Sequence, residues 1–172
     1  MNIVLIGYRG TGKSHVGRLL AERLGLSYVG MDAAIVASAG MPIPEIVARE
    51  GWPGFRDRES AEVVKVAGRD GLVIDTGGGV IERPENVDVL RRSGCIVWLK
   101  ASVPTIVARI QGDTERPSLT GAKSFTEEVA EVLERRTPAY AAAAQVAIDT
   151  DELTPEEIAT RIATVFQEGC RS

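Results

Sequence analysis

Hydrophobic positions along the chain fall into short β-branched runs separated by longer stretches of helical period. The runs at residues 3–6, 28–29, 72–74, 96–99 and 146–148 are apolar and too short for helices. Between them apolar residues recur three and four apart, as at Val16, Leu19, Leu20 and Leu24. Wholly apolar strands alternating with helices predict βαβ crossovers, hence an α/β fold of three layers with a five-stranded parallel sheet covered on both faces. Helix boundaries agree. Pro84-Glu85 opens a segment that runs through Leu90 and closes at Gly94, and Thr154-Pro155-Glu156-Glu157 combines N-cap, N1 proline and capping-box glutamate.

Two stretches break the alternation. From Asp32 to Gly71, helical pieces are interrupted by Met41-Pro42-Ile43-Pro44 and Gly51-Trp52-Pro53-Gly54, too much chain for one crossover helix. A small substrate-binding subdomain inserted at about 32–71 would account for it. From Gly112 to Ser124 the chain is polar, with Asp113-Thr114-Glu115-Arg116-Pro117 suited to neither helix nor strand, and this stretch is expected to be a lid.

The first apolar run leads directly into Gly7-Tyr8-Arg9-Gly10-Thr11-Gly12-Lys13-Ser14, which fits G-x-x-x-x-G-K-[ST]. Strand, glycine-rich turn and helix in that order place backbone N–H groups at a helix N-terminus, where phosphate is stabilised, and point to a P-loop NTPase fold. Gly10, Thr11, Gly12, Lys13, Ser14 and His15 are therefore the candidate ATP-binding stretch. Lys13 is placed to reach the β- and γ-phosphates, and the Ser14 hydroxyl to ligate Mg²⁺. His15 is the sole histidine, expected as an exposed ring.

Composition narrows the class. The 172 residues are 44% hydrophobic, enough for one domain, 1–172, with a substantial core. A net charge of −4 with scattered arginines argues against a nucleic-acid surface. No apolar run approaches the ~20 residues of a membrane helix. Cys95 and Cys170 make neither a disulfide framework nor a metal cluster, so a soluble protein of the reducing cytoplasm is expected.

Several further residues carry candidate chemistry. Thr76-Gly77-Gly78-Gly79 follows the third strand at the carboxyl edge of the sheet, either for close approach to a substrate or as a flexible turn. Asp75, ending that strand, resembles the acid that holds the metal in nucleotide-binding folds. Asp32 follows the second strand and suits either a substrate hydroxyl or a helix N-cap. Arg56 and Glu59, three apart, make either a surface ion pair or a held fork that grips an acidic substrate. Arg116 in the lid is either a γ-phosphate contact or a solvated charge. Arg135-Arg136-Thr137-Pro138-Ala139-Tyr140 is read as a helix end with cations complementing the dipole.

In order, the loop at residues 7–14, Asp32, Phe55-Arg56 with Glu59, Gly77-Gly78-Gly79, Arg116-Pro117 and Arg136-x-Pro138-x-Tyr140 resemble the shikimate kinase family over nearly the whole chain. The resemblance implies transfer of the ATP γ-phosphoryl group to the 3-hydroxyl of shikimate with Mg²⁺, on the way to chorismate and the aromatic amino acids. It implies that Lys13, Asp32 and Arg116 are catalytic. Asp32, Arg56, Gly77, Gly78, Gly79 and Arg136 would bind shikimate, and Arg109 and Pro155 would enclose the adenine. A monomer acting on a small molecule, without nucleic acid or membrane, is expected. The chain departs from the family at Gly30-Met31-Asp32, where the usual pattern is Asp-x-Asp, and at Asp75, where a small residue is usual. These departures suggest that Ser14 and Asp75 together hold the metal. A kinase for gluconate or a nucleoside monophosphate is one alternative. A nucleotide-binding regulatory homologue that has lost turnover is another, suggested by Gly30 and His15.

Overall fold

The structure is a computed structural model that describes residues 1–111 and 124–170. Five strands, β1 (Asn2–Ile6), β2 (Ser27–Gly30), β3 (Leu72–Asp75), β4 (Gly94–Lys100) and β5 (Val146–Asp149), form one sheet in the order β2-β3-β1-β4-β5. Every pairing is parallel, as the apolar runs predicted. Helices α1 (Lys13–Leu24) and α7 (Pro155–Gln167) cover one face, and α3 (Ile43–Ala67), α4 (Pro84–Ser93) and α6 (Phe125–Ala143) the other. The period of two along β1 explains why both faces are dry. Ile3 and Leu5 pack with Val16, Leu20 and Ile158, whereas Val4 and Ile6 pack with Val63, Leu90 and Tyr140. Each such fully buried aliphatic side chain is worth about 1.5–3 kcal/mol.

The excess chain after β2 is α2 (Met31–Ala39) and the bent α3, joined through Gly40, which takes a left-handed φ of 69°. Pro42 stands at the N-cap of α3, and Gly51, at φ 70° and ψ 178°, kinks the helix ahead of Pro53. The kink turns Trp52 edge-on to Phe55, with ring centroids 5.5 Å apart, over a cluster of Ile35, Ile43 and Ile46. No single helix among the described residues is long and apolar enough to cross a membrane.

Two expectations are corrected. Arg135 and Arg136 do not end a helix, because α6 continues through Pro138 to Ala143. Proline removes one backbone donor, yet the helix continues because Tyr140 and Ala143 beyond it are buried in the core, and the Thr137 hydroxyl donates to the Leu133 carbonyl at 2.7 Å. Helix-dipole complementarity therefore does not explain the two arginines. Cys95 and Cys170 are joined in a disulfide between β4 and the turn after α7, with Cα atoms 6.0 Å apart. After α7 the chain folds back, Cys170 N–H donating to the Val165 carbonyl, so that Cys170 packs on the same core cluster as Cys95.

Candidate active site

The loop between β1 and α1 is shaped by its glycines. Gly10 and Gly12 hold φ of 80° and 89°, a region that L side chains enter at a cost, so the backbone curls without strain. The N-terminus of α1 has no side-chain cap and no acid in its first turn, which leaves its N–H groups and dipole available to an anion. Lys13 is 7% exposed and its Nζ donates to the carbonyls of Gly7 and Tyr8 at 2.8 and 2.9 Å, holding the ammonium within the loop. Thr11 Oγ1 also donates to the Tyr8 carbonyl. His15 lies in the first turn of α1 and is exposed, as expected.

A cavity of about 910 Å³ opens from this loop across the carboxyl ends of the strands. Its lining includes Gly10, Gly12, Lys13, Ser14 and His15 of the loop and helix, Asp32 of α2, and Asp75, Gly77 and Gly78 after β3. This is where the strand order reverses around β1, the usual ligand position in open parallel sheets. Asp32 sits in the first turn of α2 with Gly30 as N-cap, so the capping role is not its own.

Asp75 is 8% exposed and receives two hydrogen bonds on Oδ2, from Ser14 Oγ at 2.6 Å and Tyr28 Oη at 2.7 Å. Burial, then the hydrogen bond to Asp75 and that carboxylate's charge, push the Tyr28 phenol up to about 12. Parallel pairing sets Gly30 directly beside Asp75 across β2 and β3, and a Cβ on Gly30 would lie 3.2 Å from Tyr28 Oη. Of the paired strand ends Gly30 and Asp75, the carboxylate is therefore on β3, and Tyr28 fills the space next to Gly30. Ser14 and Asp75 are hard oxygen donors at the end of the phosphate loop, a donor set that suits Mg²⁺.

A second constellation lies behind Gly78 and Gly79. Arg56 and Glu59 are not a surface pair: they are 8% and 0% exposed, with Arg56 Nη1 to Glu59 Oε1 at 2.9 Å. Arg136 is 6% exposed and stands 5.8 Å over the Tyr8 ring. The three glycines are buried and lead into a short 3-10 turn, Val80–Glu82, rather than a flexible connection. Gly79 is required for space, not for its torsions, since a Cβ there would fall inside the Arg56 guanidinium. At Gly78 a Cβ would come within 3.2 Å of Arg136 Nη1. Tyr140 is fully buried and donates to the Gly78 carbonyl, which fixes the glycine segment against α6. Gly79→Ala should therefore displace Arg56 and raise KM for a carboxylate acceptor about tenfold, with a smaller effect on KM for ATP. Initial-rate kinetics varying each substrate separately would check this.

Arg109, expected at the adenine, stands on α5 (Val103–Ile110) and donates to the Gly10 carbonyl at 3.1 Å. Pro155 is the first residue of α7, and its N-cap Thr154 carries the predicted capping box. Neither lines the cavity. Arg116 and the lid stretch lie outside the described residues except for Ser124, the N-cap of α6. Sequence reasoning passed over Tyr28, read only as a strand residue. It also missed Arg9, Arg18 and Thr76, which line the cavity. Thr76 had a faint signal in its place before three glycines.

A family model described as shikimate kinase matches residues 9–167. The chain belongs to the shikimate kinase family. A shikimate kinase of Symbiobacterium thermophilum is 45% identical over 170 residues, covering 98% of this chain and 97% of that protein. One from Geobacter sulfurreducens is 42% identical, covering 97% and 91%. Among solved structures, the shikimate kinase from Acinetobacter baumannii in complex with shikimate superposes with a TM-score of 0.92 at 34% identity, covering 97% of this chain and 93% of that one. As a shikimate kinase family member the chain is an ATP-dependent kinase, and its five-stranded parallel sheet with flanking helices is the α/β fold of its shikimate kinase structural neighbours.

Proposed function

We propose that this chain transfers the γ-phosphoryl group of ATP to the 3-hydroxyl of shikimate, as a monomer with no nucleic acid or membrane partner. The observation that carries the residue roles is the convergence of Arg56 and Arg136, from separate helices, behind the same two glycines at the edge of a phosphate-loop cavity. Two buried guanidinium groups there suit an acceptor with a carboxylate, which each can bind through parallel hydrogen bonds. The acceptor ring lies against Gly77, Gly78 and Gly79, and Asp32 accepts a hydrogen bond from the hydroxyl that attacks. In the transfer, that oxygen bonds to the γ-phosphorus, the bond to the bridging oxygen breaks, and ADP leaves with its electron pair. The hydroxyl proton passes to Asp32 or to water. Lys13 moves from the Gly7 and Tyr8 carbonyls to the phosphate oxygens, where charge accumulates in the transition state.

Ser14 and Asp75 would hold Mg²⁺ in this reading, with Tyr28 orienting the Asp75 carboxylate through the same Oδ2 that Ser14 contacts. A Mg²⁺ ion held by these residues would supply positive charge to offset that of the nucleotide phosphates. The register of Gly30 with Asp75 supports the idea that the acid has moved one strand sideways within the same edge. Asp75→Asn is expected to weaken binding of Mn²⁺, as a Mg²⁺ probe, to the ADP complex at least tenfold by electron paramagnetic resonance. Equal Mn²⁺ affinity in variant and wild type would reject this metal site. Arg116, in the expected lid of the chain's single domain, contacts the γ-phosphoryl group. The insertion at 32–71 is the acceptor subdomain. Arg109 and Pro155 flank the adenine.

A coupled ADP-release assay with shikimate, gluconate and nucleoside monophosphates tests the acceptor. Turnover of shikimate with at most weak turnover of the others is expected. Strong turnover of another acceptor without turnover of shikimate, or ATP binding without turnover, overturns the proposal.

A further inference from the structure

Glu82 belongs to no motif in the sequence, yet it is the one carboxylate among the described residues that touches both acceptor arginines. It ends the 3-10 turn after Gly79, its own N–H donating to the Gly79 carbonyl at 3.0 Å, so its place is set by the glycine segment itself. Its Oε1 accepts from Arg136 Nε at 3.1 Å, and its Oε2 pairs with Arg56 Nε at 3.3 Å. Arg135 Nη2 adds a third contact to Oε1 at 3.1 Å. Arg56 comes from α3 and Arg136 from α6, so Glu82 ties together two helices that meet at this turn.

The edge of each guanidinium that Glu82 takes is informative. It contacts both through Nε, and Glu59 takes Nη1 of Arg56. A Cβ on Gly79 would fall among Nη2, Cζ and Nη1 of Arg56, and one on Gly78 would meet Arg136 Nη1, so the ends of both guanidinium groups lie against the glycine cradle. An arginine has five N–H donors in a planar fork, and clamping one edge fixes where the others point. Two buried cations side by side also repel each other, and a carboxylate between them relieves that repulsion. Burial would raise the Glu82 carboxyl, but Arg136 and Arg56, with Arg135, outweigh it and hold it below the ordinary carboxylate range. It is therefore ionised at neutral pH.

We propose that Glu82 is the positioning residue of the acceptor pocket, clamping Arg56 and Arg136 by their Nε edges so that their terminal nitrogens converge on the carboxylate of the acceptor. The proposal rests on the reading of that acceptor as a carboxylic acid. It places specificity in the clamp's geometry, because Glu59 and Glu82 together offset the charges of the two arginines. A neutral acceptor gains nothing from the clamp, and an acid loses its grip when the clamp is removed.

Wild-type turnover with shikimate is measured first, since its absence would refute the acceptor assignment and not this role. Given that turnover, Glu82→Gln keeps the shape and removes the charge. KM for shikimate is expected to rise about tenfold, with the effect on KM rather than kcat, and the preference for shikimate over its methyl ester to shrink by a similar factor. Glu82→Asp, one methylene shorter, should fall between the two. In the Arg136→Ala background the Gln substitution should add less than threefold, because half the clamp is already gone. An unchanged KM overturns the proposal. So does a lowered KM, which would make Glu82 an internal competitor for the arginines. If Glu82→Gln unfolds, Glu82→Asp decides, alone and in the Arg136→Ala background: an Asp variant equal to wild type, or full additivity of the Asp and Ala substitutions, overturns the role.

Discussion

Lys13→Ala should lower kcat about 10²- to 10³-fold while changing KM for shikimate by less than threefold. In the structure Lys13 Nζ is bound by the Gly7 and Tyr8 carbonyls, so the ammonium is pre-positioned at the mouth of the loop and needs only a short swing to reach a phosphate. The neutral carbonyl partners make weaker hydrogen bonds than phosphate oxygens would, so the exchange favours the nucleotide complex. As the γ-phosphoryl group moves, charge spreads over its equatorial and bridging oxygens, and a cation already in place stabilises that charge without reorganisation. The acceptor's arginines lie on other elements and should not sense the change. Steady-state kinetics with both substrates would check the split, and a thermal melt would show that the loop survives loss of its plug. A large rise in KM for ATP with kcat intact would make Lys13 a ground-state contact only.

Arg136→Ala should show the opposite split, raising KM for shikimate about 10- to 100-fold with a smaller fall in kcat. Hydrogen bonds to a charged partner are worth about 1.5–3 kcal/mol, and Arg136 is 6% exposed, so water screens the contact little. The carboxylate is bound equally before and during transfer, which places the loss in affinity. Part of the loss arises because Glu82 would keep only Arg56 and the exposed Arg135. Equal losses in kcat and kcat/KM would instead place Arg136 at the reacting phosphoryl group. Isothermal titration of shikimate into the variant would separate the two outcomes independently of turnover.

The features that sequence reasoning reached are those whose cause is local. The phosphate loop needs positive φ at fixed spacing, and Gly10 and Gly12 supply it next to a strand whose last four residues are apolar. The capping box at Thr154 and the glycine after α4 likewise act within one helical turn. Other signals were ambiguous because the same spacing serves two environments. Arg56 and Glu59 at i and i+3 look alike on a wet surface and in a dry pocket, and only the packing of Phe55 beside them distinguishes the cases. The helix across Pro138 was misjudged because what carries it onward is the burial of Tyr140 and Ala143 against distant elements. The disulfide was missed because its cysteines are 75 residues apart.

By itself the sequence determined the alternation of strands and helices, the phosphate-binding loop and the family to which the chain is similar, because periodicity, turn chemistry and glycine torsions operate over a few neighbouring residues. The tertiary structure decided which distant groups share a volume. The order β2-β3-β1 sets Gly30 beside Asp75, and Asp75 within reach of Ser14, 61 residues away. The meeting of the 3-10 turn with α6 brings Glu82 to Arg136 across 54 positions. Such pairings follow from how the sheet stacks its strands and how helices close over it. They depend on burial summed over the whole chain, which no short stretch of residues encodes.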